Sequence, residues 1–265
     1  MKYLYLNEIR LFIRHFAEWG FLLIMFTIFF FTFGLKEVTF IGKTFLFPLP
    51  SRLSFAAEFF NHITTALVPS GVTLIVTNPL TAFIAQVKIA LLMAFLLTLP
   101  FLLYKLIAYF FSALYTSEKK AILAVAIPSA LLFALGSLFS YFVLIPPTFD
   151  ILYSYTGLID AAAFFAVNEF VNLALALMLA VGVMFLLPVG MTLLTVLGVI
   201  SNNFWKEQWR YAVIFFLIIS AIITPDGSGI TMIFLSFPMA LLYGIGLVLS
   251  DSFYKHGQSY ILKRN

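Results

Sequence analysis

Long apolar runs separated by short polar interruptions dominate this chain. Six runs stand out, at about 19–34, 87–111, 121–146, 171–200, 211–223 and 230–249. Crossing a hydrocarbon core of ~30 Å takes about 20 helical residues at 1.5 Å each. The fourth run is too long to stand upright and predicts a tilt or a bend near Pro188. The fifth reaches only ~20 Å. The hairpin of the fifth and sixth runs is therefore expected to be sunk, its turn around Asp226 lying below the far surface. A polar turn at that depth must line a wet cavity or be covered by protein. A membrane β-barrel would instead alternate apolar and polar residues in segments of about ten. The pattern predicts an all-α integral membrane protein, a single polytopic domain over 1–265 with six transmembrane helices.

The roughly fifty residues between the first and second runs predict structure of their own. Residues 40–50 read as extended and broken by Pro48 and Pro50. Residues 54–68 set Phe55, Phe59, Ile63, Ala66 and Leu67 on one helical face, with Glu58, His62 and Thr65 elsewhere. That is an amphipathic helix lying on the outer surface or capping the bundle. Residues 72–76 read as a short extended piece.

Composition agrees with this class. Of 265 residues, 63% are hydrophobic and 10% charged, with a mean hydropathy of +1.09, against about 45–50% apolar and about 25% charged in soluble domains. There is no cysteine, which excludes disulfides and thiol chemistry. The net charge of +4 reflects basic residues at a membrane surface, not a nucleic-acid patch. Lys2, Arg10, Arg14, Lys119, Lys120, Lys206, Arg210, Lys255, Lys263 and Arg264 fall on one side of the six-run topology, whereas the short opposite loops at 150–160 and 226–229 carry no Lys or Arg. The positive-inside rule puts both termini in the cytoplasm. Trp205 and Trp209 flank the fifth run as interfacial anchors.

Two carboxylates fall at the cytoplasmic face. Glu118 sits in the polar interruption 112–120 and Glu8 in the N-terminal stretch. A guanidinium pairs with a carboxylate through two parallel hydrogen bonds, so two acids could hold two adjacent arginines of an incoming peptide. Taken alone, Glu118 reads sooner as an acid offsetting Lys119 and Lys120 at a helix start than as half of such a site. Lys88 and Lys105 stand near opposite ends of the second run, where both can snorkel. Glu18 and Glu169 lie near interfaces. Asp226 is either a functional polar group or a turn residue before Gly227. His15, His62 and His256 are scattered, with no metal-ligand spacing, and no Gly-x-Ser-x-Gly or His-Glu-x-x-His occurs. The sequence calls for no cofactor and points away from an enzyme.

The ordered motifs resemble the TatC family, the multi-spanning receptor of the twin-arginine protein translocase. Leu6-Asn7-Glu8-Ile9-Arg10 is similar to the family's N-terminal His-Leu-x-Glu-Leu-Arg signature. Pro100 and Tyr104, then Ala113-Leu114-Tyr115 and Glu118-Lys119-Lys120, resemble its first cytoplasmic loop. Phe133, Gly136, Phe139, Tyr141 and Pro146 resemble its third span. Phe185-Leu186-Leu187-Pro188-Val189, Gly198 and Trp209-Arg210-Tyr211-Ala212 resemble the fourth span and second cytoplasmic loop, and Thr224-Pro225-Asp226 with Pro238 and Leu242-Tyr243 the last hairpin. Leu186 departs from the family, standing where many members carry an acid or amide, and Gly244 stands where glutamate is frequent.

The resemblance implies a receptor for the twin-arginine signal peptides of folded cargo, powered by proton-motive force, in the cytoplasmic membrane. Glu8 and Glu118 match the family's signal-peptide carboxylates, with Arg10, Leu114 and Tyr115 on the same surface. Asp226 matches the acid of the short hairpin, and Lys88 is a second intramembrane polar group. Pro188, Pro146 and Gly136 take structural roles. The implied partners are small single-span Tat proteins of the TatA/TatB type, facing the fifth and sixth spans, together with membrane lipid and further copies of the chain. A small-solute transporter is the rival reading and would show paired broken helices and mid-membrane charges. A membrane assembly scaffold without peptide recognition is the other.

Overall fold

Helices dominate the computed structural model, as they must where lipid offers no hydrogen-bond partner to backbone groups. The structure describes residues 2–40, 43–51, 53–68, 72–76, 78–112, 119–157, 164–196, 198–224 and 229–262. Within these, 2–13, 15, 37–40, 43–46, 107–112, 119–124, 156–157 and 253–262 are described by backbone alone. Four helical stretches among the described residues are long and apolar enough to cross a membrane: Pro79–Leu106, Val125–Tyr155, Val167–Val196 and Ile230–Ser252. Two shorter apolar helices, Phe16–Thr32 and Trp209–Ile223, accompany them. The residues group into two compact units, Met1–Ala130 with Ala163–Leu175, and Leu131–Ala162 with Ala176–Asn265.

In the first unit, helix α1 (Lys2–Thr32) is followed by a hairpin of β1 (Phe33–Phe40) and β2 (Lys43–Pro50). Phe33 and Gly34, expected at the end of the first apolar run, are therefore strand residues. Pro48 and Pro50 do not break the extended segment. They pair with Leu35 and Phe33 in the ladder, which a two-stranded sheet allows because each strand is an edge. Helix α2 (Phe55–Leu67) starts at Ser54, whose hydroxyl accepts from the Ala57 N–H at 3.3 Å. Its buried residues are Ala56, Ala57, Ile63 and Leu67, while Ala66, expected on the apolar face, is exposed. Phe55 stays engaged, stacked on Phe29 at 6.0 Å.

The extended piece at 72–76 contains β3 (Thr73–Ile75), paired in parallel with β4 (Phe164–Ala166). That partner, ninety residues away, carries no local signal. Helix α3 (Pro79–Ser112) packs against α1.

Helix α4 (Lys119–Phe139) leads into a π-turn at Ser140–Leu144 and then α5 (Ile145–Gly157). The helical backbone thus continues past Pro146, the expected end of the third run, and Asp150 lies in α5 rather than in a loop. Pro146 and Pro147 have no N–H and would clash with carbonyls one turn back in a regular helix. The π-turn, closed by the Ile145 N–H on the Ser140 carbonyl, inserts an extra residue there and lets the helix resume.

Helix α6 (Val167–Phe185), whose residues up to Leu175 belong to the first unit, is separated by Leu186 from α7 (Leu187–Val196) of the second. This break lies two residues before Pro188. The Leu186 N–H bonds the Val183 carbonyl at 3.0 Å, a tighter turn than the α-helix makes. After α7, Gly198 at φ +71° permits the Val199 N–H to reach the Leu194 carbonyl at 3.0 Å, a helix-ending turn that needs glycine. Helix α8 (Asn202–Glu207) is capped by Ser201. Helix α9 (Trp209–Ile223), 15 residues, runs antiparallel to α10 (Ile230–Leu262), with Phe216 against Tyr243 at 5.9 Å and Ser220 against Met239.

Glycines let helices approach closely. A Cβ on Gly136 would lie 2.7–2.9 Å from the Phe185 side chain, and one on Gly182 2.8 Å from the Phe133 ring and the Ser137 hydroxyl oxygen. Small residues at such crossings are the means by which membrane helices associate. Because the Phe185 atoms in the way include its Cβ, the ring cannot simply swing aside. Gly136→Val is therefore expected to cost about 1–3 kcal/mol by overpacking, read as a lower Tm of the detergent-solubilised protein. In a Phe185→Ala background, which lacks the Cγ and Cδ2 in the way, Gly136→Val should cost less, and an unchanged Tm in the single Gly136→Val variant would contradict the packing.

Candidate functional site

Glu8 and Arg10 lie on α1, where the backbone is described. Leu114, Tyr115 and Glu118 lie outside the described residues, as does Asp226. Six residues, 113–118, join the end of α3 at Ser112 to the start of α4 at Lys119. What the structure contributes to this site is the register of the two helices that frame it.

That register is antiparallel. Phe31 meets Phe83 edge-on at 5.3 Å, Trp19 meets Phe95 at 6.2 Å, and the Glu18 carboxylate takes the Lys105 ammonium at 2.6 Å. As α1 is followed back from 31 to 18, α3 advances from 83 to 105. Ten more residues of α1, from Glu18 to Glu8, cover ~15 Å. Only seven residues of α3, ~10 Å, remain between Lys105 and Ser112. The two aromatic pairs share one register, which sets Glu8 near the level of Leu106, ~9 Å short of Ser112, whereas the ion pair, made by two long side chains, sets it ~5 Å beyond Ser112. The α1 backbone at Glu8 therefore stands level with the last turns of α3.

Three polar constellations are formed among the described side chains. Glu18 accepts from Lys105 and sits 3.4 Å from the Arg14 guanidinium one turn before it. Lys105 is mostly buried, its side chain 19% exposed, and also stands 5.1 Å over the Phe101 ring. Lys88 donates to the side-chain oxygens of Asn168 and Asn172 at 2.8 and 2.6 Å. Both lysines are held by partners on another helix. The two asparagines lie one turn apart on α6, spaced to meet one ammonium.

The third constellation lies in the second unit. Asp251 on α10 accepts from Lys206 at 2.8 Å and from Asn202 at 2.5 Å, both on α8, and Ser250 donates to Asn202 at 2.8 Å. Beside it, the Trp205 indole donates to Thr195 at 3.0 Å and its carbonyl accepts from the Tyr243 hydroxyl at 2.6 Å. Trp205, expected as a simple interfacial anchor, thus ties α8 to both α7 and α10. Trp209 is exposed, with Arg210 5.6 Å from its ring.

None of the pairings between helices was visible in sequence. Glu18 and Lys105 are 87 positions apart, and Asp251 and Lys206 are 45 apart. The available signal was charge in an otherwise apolar stretch, which calls for a partner without naming it. Among the described residues, no three of His, Asp and Glu come together in a way that could hold a metal ion.

The model of the Sec-independent protein translocase protein TatC family matches residues 6–238. The chain is 39% identical over 211 residues to the TatC of Cenarchaeum symbiosum (strain A), covering 79% of this chain and 80% of that protein. It is 32% identical over 180 residues to the TatC of Aquifex aeolicus (strain VF5), covering 67% and 74%. Its fold superimposes on a crystal structure of the twin arginine translocase receptor TatC in DDM with a TM-score of 0.70 at 26% identity, covering 92% of this chain and 99% of that one. The chain belongs to the TatC family and is a membrane component of the Tat protein translocase, not an enzyme.

Proposed function

We propose that this chain is the translocase subunit that receives twin-arginine signal peptides at the cytoplasmic face, with Glu8 and Glu118 each taking one arginine. The observation that carries the proposal is the α1–α3 register. It sets the helix backbone at Glu8 level with the last turns of α3, from whose end the 113–118 connection follows. The described acids Glu18 and Asp251 are already engaged by cations. The solved relative is itself named a twin arginine translocase receptor. Arg10, Leu114 and Tyr115 complete the surface.

The basic residues beside the apolar runs support an orientation with both termini in the cytoplasm of a cell's inner membrane. Helices α9 and α10 present a broad exposed apolar surface, including Ile214, Ile218, Ile222 and Phe237. That surface suits small single-span Tat partners, recruited once cargo is bound. Passage of folded cargo through such an assembly would draw on proton-motive force.

Glu8→Ala and Glu118→Ala are each expected to weaken binding of an Arg-Arg signal peptide by about 1.5–3 kcal/mol, roughly 10- to 150-fold. Titration of a labelled peptide against the protein in nanodiscs reads this directly, and full affinity in the double variant would overturn the assignment. Helix α9 spans only ~22 Å, so the turn at Asp226 should lie below the outer surface. A membrane-impermeant maleimide added from outside should label Ser228→Cys more slowly than Ser154→Cys. Equal rates would count against a sunken turn.

A further inference from the structure

Helix α1 is short as a membrane span. Between Glu18 and Lys36 the chain carries no charge, and the helical part of that stretch, 19–32, is 14 residues, ~21 Å against a hydrocarbon core of ~30 Å. It ends directly in the β1–β2 hairpin, whose base is fastened to it by the Ser51 N–H on the Thr32 carbonyl at 3.2 Å. The first rungs of that hairpin are apolar on the outside. Leu35 is 46% exposed, Phe47 51% and Leu49 39%, and Leu53, just after the hairpin, is 58% exposed. These side chains have no place in bulk water, and they follow a helix that runs out of length.

At 3.3–3.4 Å per strand residue, the rungs bearing Leu49, Leu35 and Phe47 lie about 7, 10 and 13 Å beyond Thr32 along the hairpin. The core left uncovered by that stretch is ~9 Å, and the headgroup layer adds roughly 5–7 Å. The apolar rungs therefore fill the depth that α1 leaves open. Lys36, exposed and directly opposite Phe47 in the register, stands at the level of the lipid phosphates.

The backbone is suited to the same place. An open strand edge in lipid is costly because its N–H groups go unpaired. Within a ladder, proline is tolerated where its nitrogen faces away from the partner strand. With Pro48 and Pro50 in β2, the outer edge carries no donor at those two positions of the base.

We propose that the base of this hairpin is a phospholipid-binding surface. Leu35, Phe47, Leu49 and Leu53 sink into the headgroup–acyl boundary, Lys36 binds an anionic headgroup phosphate, and the hairpin completes the span that α1 begins. The proposal holds whichever side of the membrane the hairpin occupies and does not depend on signal-peptide recognition.

The absence of cysteine makes single-cysteine spin labels clean reporters. Phe47→Cys, Leu49→Cys and, nearer the turn, Lys43→Cys would be labelled in the full chain and reconstituted into phosphatidylcholine–phosphatidylglycerol vesicles. Labels at 47 and 49 should collide with oxygen in preference to a water-soluble nickel chelate, with several-fold fewer nickel collisions than at 43. Lys36→Glu should raise nickel access at 47. Equal nickel access at 47 and 43, or no response to Lys36→Glu, would overturn the proposal. So would protection at 47 that disappears in nanodiscs holding one copy, which would make the occupant a second chain. A Tm within the parent's range confirms that each labelled variant is folded.

Discussion

The antiparallel seam between α1 and α3 is the constraint on which the first unit depends. It is fixed at one end by aromatic packing, Phe31 on Phe83, and at the other by the Glu18–Lys105 ion pair. In an apolar setting such a pair adds little net stability, because desolvation offsets attraction, but it is intolerant of mismatch. Sliding one helix past the other by a turn, ~5.4 Å, would strand Lys105 away from its carboxylate. The pair therefore selects one register. That register sets the height of the hairpin base at Thr32, the seat of α2 against Phe29 and Phe30, and the level of the α1 start relative to the end of α3.

The second unit is held by other means. Lipid tails are as apolar as leucine, so helices gain little from burying apolar surface against one another and depend on close contact and hydrogen bonds. Gly136 and Gly182 supply the close contact, each receiving an aromatic ring from the other helix. Gly246 does the same for α10 over Met191 and Pro188. Trp205 and Tyr243 supply hydrogen bonds, and several buried hydroxyls, such as Thr148 and Thr195, bond carbonyls of their own helix one turn back. This last habit leaves polar side chains satisfied without any partner helix.

The length of apolar runs was enough to locate α9, the apolar part of α10 and all but the first two turns of α3, which starts at Pro79 rather than near 87, because a run bounded by charge or proline has few other readings. The N-cap of α2 and its helical period were equally plain. Ala66 was assigned to the wrong face because alanine fits either side of a helix, and the true face centres on Ala56, Phe60, Ile63 and Leu67. The π-turn ahead of Pro146 escaped notice since proline in an apolar run reads as an end, not as a site where an extra residue can carry the helix onward. The β3–β4 pairing and the three charged constellations are long-range, and their members carry no local mark of one another. Of the candidate site, the residue types and their order were legible in the chain; the helix register that brings α1 to the end of α3 was not.

Neither unit is continuous along the chain, which bears on how the protein is made. Unit one needs β4 and the asparagines that hold Lys88, which emerge from the ribosome only after α4 and α5. In unit two, α8 finds its acid, Asp251, only when the final helix has been synthesised. Lys88 therefore waits for its asparagines until α6 has been made, and α8 waits for its acid until α10 has. The last helix acts as a completeness check. A chain truncated before it would leave the Asn202 and Lys206 side chains of α8 without the carboxylate they share.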